Sequence, residues 1–162
     1  MPKKNQTPKT NAIRALDARK IPHQTFTYSS EIHSADGAAE ALGVDPSLVY
    51  KTLVVLPESG QGHPLLVMVP GNHELDLKVL GQAVGEKKLR MASQREAESL
   101  TGLLVGGISA LALLNKNFRI FVDEAALELA RMYVNGGQRG LNISLSPQDL
   151  LAVTGAIAVP TR

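Results

Sequence analysis

The sequence predicts a single α+β domain, and three observations carry that prediction. The chain has 162 residues, one domain's length, enough to bury roughly 70% of its unfolded surface without disulfides or structural metal. Short helical and strand-like runs intermix along it without the regular alternation of a doubly wound sheet. Two apolar, β-rich runs, TLVVL at 52–56 and LLVMV at 65–69, flank a polar loop over 58–64. They read as a β-hairpin, and their unbroken apolar character implies a sheet covered on both faces.

The other elements follow in order. Residues 1–9 read as a basic arm ahead of a domain over 10–162. Thr10 is a helix cap for the face carrying Ala12, Ile13 and Leu16, and Ile21-Pro22 stops that helix. Residues 23–28 read as a strand with Phe26 and Tyr28 on one face. Ser34 and Asp36 open a helix closed by Gly43, and Asp45-Pro46 opens a short one running to Tyr50. A helix over 75–84 ends at Gly85, and a short strand is expected over 88–91. Ser93 and Glu96 have capping-box spacing for a helix ending near Leu100. Residues 118–122 read as a strand, and Asp123 caps a short helix over 125–131. Leu141 to Leu145 alternates as a half-buried strand does, and Ser146-Pro147 opens a last helix that Gly155 closes.

Composition removes several chemistries. With no cysteine there is no disulfide, no thiolate zinc site and no cysteine nucleophile. Three Phe, three Tyr and no Trp are too few for a sheet that stacks several bases. The longest apolar run, 103–114, is interrupted by glycines and too short to span a membrane. No apolar signal core follows Lys3 and Lys4, so a cytoplasmic protein without membrane contact is expected. Residues 1–20 hold six basic groups against Asp17, net +5, which leaves −3 on the rest of a chain of net charge +2. Such an arm is either a solubilising tail or a contact for a polyanion.

His23, His33, His63 and His73 show no metal-binding spacing and read as scattered surface residues; neither metal nor cofactor is expected. No serine lies in a nucleophile elbow, and no phosphate-binding loop occurs. Two segments stand out. Lys51 lies where a short helix meets the apolar run: it either marks a strand end pointing to water or holds its ammonium over a cleft. Gly106-Gly107 interrupt an apolar stretch, as a core bend or as backbone approaching a ligand with its N–H groups. The glycine-rich run 133–140 poses the same choice between a hairpin turn and a rim loop presenting Asn135 and Arg139.

These segments resemble the YbaK family of free-standing aminoacyl-tRNA deacylases, relatives of the editing domain inserted in bacterial prolyl-tRNA synthetase. The matching pieces are Leu42-Gly43-Val44-Asp45-Pro46 with Val49-Tyr50-Lys51-Thr52-Leu53; Leu75-Asp76-Leu77-Lys78; Thr101-Gly102 with Leu104-Val105-Gly106-Gly107-Ile108-Ser109; and Tyr133-Val134 with Gly136-Gly137 and Arg139-Gly140-Leu141. They keep the family's order over about 10–160.

The resemblance implies a mixed, partly barrel-like sheet flanked by helices, and clearance of cysteine wrongly attached to proline tRNA. It implies mischarged tRNA as partner and raises prolyl-tRNA synthetase as another. It places Lys51 and Gly106 in catalysis, with Tyr28, Thr52, Gly107, Ile108, Ser109, Asn135 and Asn142 around the substrate. The chain departs from the family at four positions. Ala110 stands for a proline, Asn142 for an aspartate and Asn135 for a serine, and no pocket aromatic occurs near Ser34.

Overall fold

A computed structural model describes residues 8–162. Its helices begin where short polar side chains accept a first-turn N–H. Thr10 opens α1 (Asn11–Ala18), Ser34 opens α2 (Ala35–Leu42) and Asp76 opens α3 (Leu77–Val84). Ser93 opens α4 (Gln94–Thr101) and Ser146 opens α5 (Pro147–Thr154). The capping box forms as its spacing predicts: Ser93 Oγ accepts from Glu96 N–H while Glu96 accepts from Ser93 N–H. Arg90 also grips Glu96 through two 2.8 Å bonds. These bonds pull the Glu96 carboxyl down to about 2, with Arg90 the largest cause.

Among the described residues, eight strands form two sheets. They are β1 (Gln24–Thr27), β2 (Tyr50–Pro57), β3 (Leu65–Pro70), β4 (Leu89–Met91), β5 (Arg119–Asp123), β6 (Met132–Asn135), β7 (Leu141–Leu145) and β8 (Ile157–Val159). The larger sheet has the order β4-β2-β3-β5-β8, and the smaller one β1-β7-β6. The expected hairpin is β2–β3, antiparallel in the register Lys51 to Val69 and Thr52 to Met68. β3 also pairs in parallel with β5, which makes the sheet mixed.

All six residues of β3 are buried. Leu66 and Met68 enter the main core with Leu16, Leu111 and Ile143, while Leu65, Val67 and Val69 pack against Leu80 of α3 on the opposite face. Coverage on both faces explains why this strand lacks the usual alternation.

The structure corrects several expectations. The mixed sheet is present as expected, but it does not close into a barrel. Among the described residues the two sheets are joined by one parallel bridge, Val49 to Tyr133, so no ring closes. The helices expected over 45–50 and 125–131 are 3-10 segments, Pro46–Leu48 and Glu124–Glu128. Val49 turns extended because its carbonyl accepts the Gly71 N–H at 2.7 Å. β7 is buried at all five positions rather than half-buried. It is the central strand of its sheet, with Leu141, Ile143 and Leu145 facing the core; on its other face lie Asn142 and Ser144, both buried.

β6 and β8 were not anticipated; four and three residues long, they take their register from β7 and β5. The glycine-rich run after β6 is the β6–β7 hairpin turn. Of the basic arm only residues 8 and 9 are described, with Lys9 Nζ 3.8 Å from Asp17. No helix among the described residues is long and apolar enough to cross a membrane.

Candidate functional site

The parting of the two sheets creates the site. One edge of β2 meets two different neighbours: β6 through the Val49–Tyr133 bridge, and β4 at Val55, Leu56 and Pro57. Between them the edge has no strand partner among the described residues. A cleft of about 440 Å³ opens there, floored by residues 49–54. The start of α2 and Gly71 wall one end, and Met91, Ala92 and Gln94 wall the other.

Lys51 projects from this floor. Its Nζ lies 3.5 Å from the Gly71 carbonyl, at the limit of hydrogen bonding. An ammonium carries three donors, so this contact leaves donors for a ligand. Gly71 is there because space is short. A Cβ would come within 2.7 Å of Ala35 Cβ and 3.0 Å of the Val49 carbonyl oxygen.

The paired glycines form the wall beside it. Gly106 has φ +95°, and a Cβ there would lie 3.0 Å from both Cα and Cβ of His33. A Cβ on Gly107 would lie 2.9 Å from the Arg139 nitrogen. The loop is therefore pressed between the segment around His33 and the β6–β7 turn. Backbone approaching backbone is what demands glycine here. Two side chains fasten the loop. Asn135 Nδ2 donates to the Gly106 carbonyl at 2.7 Å while its Oδ1 accepts from Gly137 N–H, and Arg139 Nε donates to the Val105 carbonyl at 2.8 Å. Gly107 N–H donates to the Leu104 carbonyl, so it has no free donor. Gly106 lines the cleft, and its N–H has no hydrogen-bond partner among the described residues.

Tyr28 and Asn142 line the cleft from neighbouring segments of the smaller sheet, with Asn142 Nδ2 donating to the phenol oxygen at 3.0 Å. Burial pushes the Tyr28 phenol up, against the opposing pull of Asn142. Burial, helped by the Asp123 carboxylate, pushes Tyr50 up to about 12. Both phenols stay protonated at working pH, so neither supplies a phenolate. Tyr28→Phe leaves the buried Asn142 amide without its acceptor. It should cost about 1–3 kcal/mol, read as a lower urea midpoint at unchanged slope.

Of the residues singled out from the sequence, Tyr28, Lys51, Thr52, Gly106, Ile108, Asn135 and Asn142 line this one cleft. Gly107 and Ser109 are buried outside its lining, beneath the loop surface. Two of the lining side chains carry buried polar atoms with no partner, Thr52 Oγ1 and Asn142 Oδ1. Among the described residues no group of His, Cys, Asp and Glu could hold a metal ion.

Sequence reasoning missed His33, treated with the other histidines as scattered. It is exposed but lines the cleft, with Nε2 3.1 Å from the Ser30 carbonyl. The available signal was its place next to Ser34, where the family resemblance expects a pocket aromatic. Asp36 and Gln94 also reach the cleft through tertiary placement alone. Ser34 Oγ accepts from Gly37 N–H as the α2 cap.

Comparison with known proteins identifies the family. A family model described as "Aminoacyl-tRNA editing domain" matches residues 29–153. A protein of Enterococcus faecalis, "Putative Cys-tRNA(Pro)/Cys-tRNA(Cys) deacylase EbsC", is 36% identical across 95% of this chain and 93% of its own. The proline–tRNA ligase of Shouchella clausii is 30% identical over 83% of this chain, which spans only 22% of that ligase. A solved structure described as "a putative trans-editing enzyme for prolyl tRNA synthetase" superposes with TM-score 0.79 at 28% identity. That match covers 96% of this chain and 99% of the other. The chain belongs to the aminoacyl-tRNA editing domain family.

Proposed function

We propose that this protein is a trans-editing deacylase that clears cysteine from mischarged proline tRNA, using the substrate's own thiol. The observation that carries this reading is the convergence of Lys51, the Gly106 loop and the Tyr28–Asn142 pair on one cleft. The name borne by the 36% identical relative supports the substrate.

The chemistry suits a chain without cysteine. The substrate thiolate attacks its own carbonyl carbon and forms a C–S bond. The C–O bond to the terminal ribose breaks, and the ribose oxygen takes up the proton that the thiol gave to solvent. The products are free tRNA and a small cyclic thioester. The protein then supplies orientation and charge stabilisation. Lys51 holds the ester end, and the Gly106 N–H is a donor for the developing oxyanion. Tyr28 and Asn142 bound the aminoacyl side. The body of the tRNA remains outside, and the basic residues of the N-terminal segment are its expected phosphate contacts.

One observation favours a second reading. Asn142 is neutral, and its buried Oδ1 has no partner. A polar cleft with such an acceptor has room to hold an attacking water, which would suit a small residue without a thiol, such as alanine. Initial deacylation rates on cysteinyl-, seryl- and alanyl-tRNA(Pro) decide between them. The thiol reading expects cysteinyl-tRNA to be cleaved at least tenfold faster than the other two, independent of a chelator. A preference for alanyl-tRNA overturns it in favour of water.

A further inference from the structure

The unpartnered edge of β2 offers main-chain groups as well as side chains. Backbone groups alternate along a strand, so two fixed points set the direction of all the others. The Val49 carbonyl accepts from Gly71, on the β3 side, whereas the Val54 carbonyl accepts from Ala92 N–H, on the β4 side. Odd-numbered residues of this stretch therefore turn their N–H and C=O toward β3, and even-numbered ones turn theirs away. Thr52 lies opposite Met68 of β3 but has no strand partner on its other side among the described residues. Its N–H and C=O thus face the cleft. Independently, its Oγ1 is buried without a hydrogen-bond partner. Buried polar groups are rarely left unpaired, and those that are commonly await a ligand or water.

We infer that this one-residue gap in the β2 edge binds the aminoacyl group as a short added strand, and that recognition requires a free α-ammonium. The inference rests on the deacylase reading and specifies how that substrate is held. In an antiparallel hydrogen-bonded pair, two facing residues exchange both of their backbone bonds. An aminoacyl ester has the matching groups. Its ammonium donates to the Thr52 carbonyl, and its ester carbonyl accepts from the Thr52 N–H. Peptide recognition at exposed sheet edges works in the same way. Thr52 Oγ1 takes a second ammonium proton.

Direction follows from this pairing. A residue antiparallel to β2 runs from the Val54 end toward the Tyr50 end. Its ester oxygen and ribose then leave past Lys51 and Gly71, which places the scissile bond beside the ammonium that Lys51 presents. The opposite polarity would send the ribose toward Met91, away from Lys51.

Three arms test this with the full-length protein. Thr52→Pro removes the N–H together with the hydroxyl, so the contribution of the N–H is the loss beyond that of Thr52→Val. Proline is tolerated where a strand's N–H faces an open edge, and Thr52 does not use that N–H in its pairing with β3. Thr52→Val removes the hydroxyl and keeps shape and backbone. The third arm uses wild-type protein with a tRNA ester of 3-mercaptopropionic acid, which keeps the thiol and lacks the amino group. Each rate is divided by the rate without protein, since the ammonium also activates the ester.

Thr52→Pro should lower kcat/KM on the order of 10–100-fold. Thr52→Val should raise KM several-fold with thermal stability unchanged or higher, because it removes an orphaned hydroxyl. The deaminated ester should lose on the order of 10–100-fold. Equal normalised rates on the aminated and deaminated esters would overturn the inference, as would a folded Thr52→Pro protein with wild-type kinetics. If Thr52→Pro does not fold, the deaminated ester decides alone. Absence of wild-type activity on every aminoacyl-tRNA would instead refute the deacylase reading itself.

Discussion

Replacing Lys51 by alanine is expected to slow deacylation by about 10²–10³-fold, the usual effect of deleting one preorganised charge donor. The ammonium sits at the limit of bonding to the Gly71 carbonyl and makes no salt bridge among the described residues. Little of the fold depends on it. Lys51 also lies at a strand position whose backbone pairing with Val69 alanine preserves. Circular dichroism and the urea midpoint should therefore stay near wild type, and the loss should appear chiefly in single-turnover rate. Lys51→Arg keeps the charge but presents a planar fork, so it should recover only part of the activity. A folded Lys51→Ala protein with near-normal turnover would remove Lys51 from the site.

Gly106→Val is expected to abolish measurable activity, for a reason rooted in the loop's neighbours. Valine is strongly disfavoured at φ +95°, a strain of about 1–3 kcal/mol, and its Cβ would stand 3.0 Å from His33. Relief comes from moving the segment around His33 and Ser34, which walls the cleft, or from tilting the loop and the carbonyl that Asn135 holds. Either response displaces the Gly106 N–H from where a reacting oxyanion would lie. The sheets themselves need not change, so the far-ultraviolet spectrum should be nearly unaltered while the melting temperature falls by several degrees. Global unfolding of Gly106→Val would mean that the bend is structural and that the loss of activity says nothing about the site.

Much of this architecture was legible because short-range chemistry fixes it. The caps Thr10, Ser34, Ser93 and Ser146 act within four residues of themselves, and each opens the helix its position indicates, whereas α3 begins at Leu77, capped by Asp76, two residues later than the helix expected from 75. The β2–β3 hairpin was readable for a related reason: it joins two long apolar runs through one loop. The elements that escaped are those whose stability comes from distant partners. β8 has three residues and exists because β5 lies beside it. β6 is four residues preceding glycines and takes its register from β7.

The site shows the same division. Lys51 stood out as a cation entering an apolar strand, and the paired glycines stood out as breakers of an apolar run. Asp36 carried no signal of a place in the site and His33 only its position beside Ser34, because the packing of Gly106 against His33 and of α2 beside Gly71 is what brings them to the cleft. The paired glycines also show how one local feature fits two readings. Sequence alone could not choose between a core bend and a ligand-facing backbone. In the structure the loop is a bend clasped by two neighbouring segments, and Gly106 within it lines the cleft.

A substrate that supplies its own nucleophile leaves its mark on the released amino-acid product, and the identity of that product is the decisive measurement. Cysteinyl-tRNA(Pro) is incubated with the protein in the presence of a small-molecule amine that captures thioesters faster than water does. Products are then quantified against free tRNA. One captured acyl adduct is expected for each tRNA released, with a rate that rises with pH toward the thiol's pKa. Stoichiometric free cysteine with no adduct, together with comparable cleavage of seryl-tRNA(Pro), would contradict it and assign the attack to water.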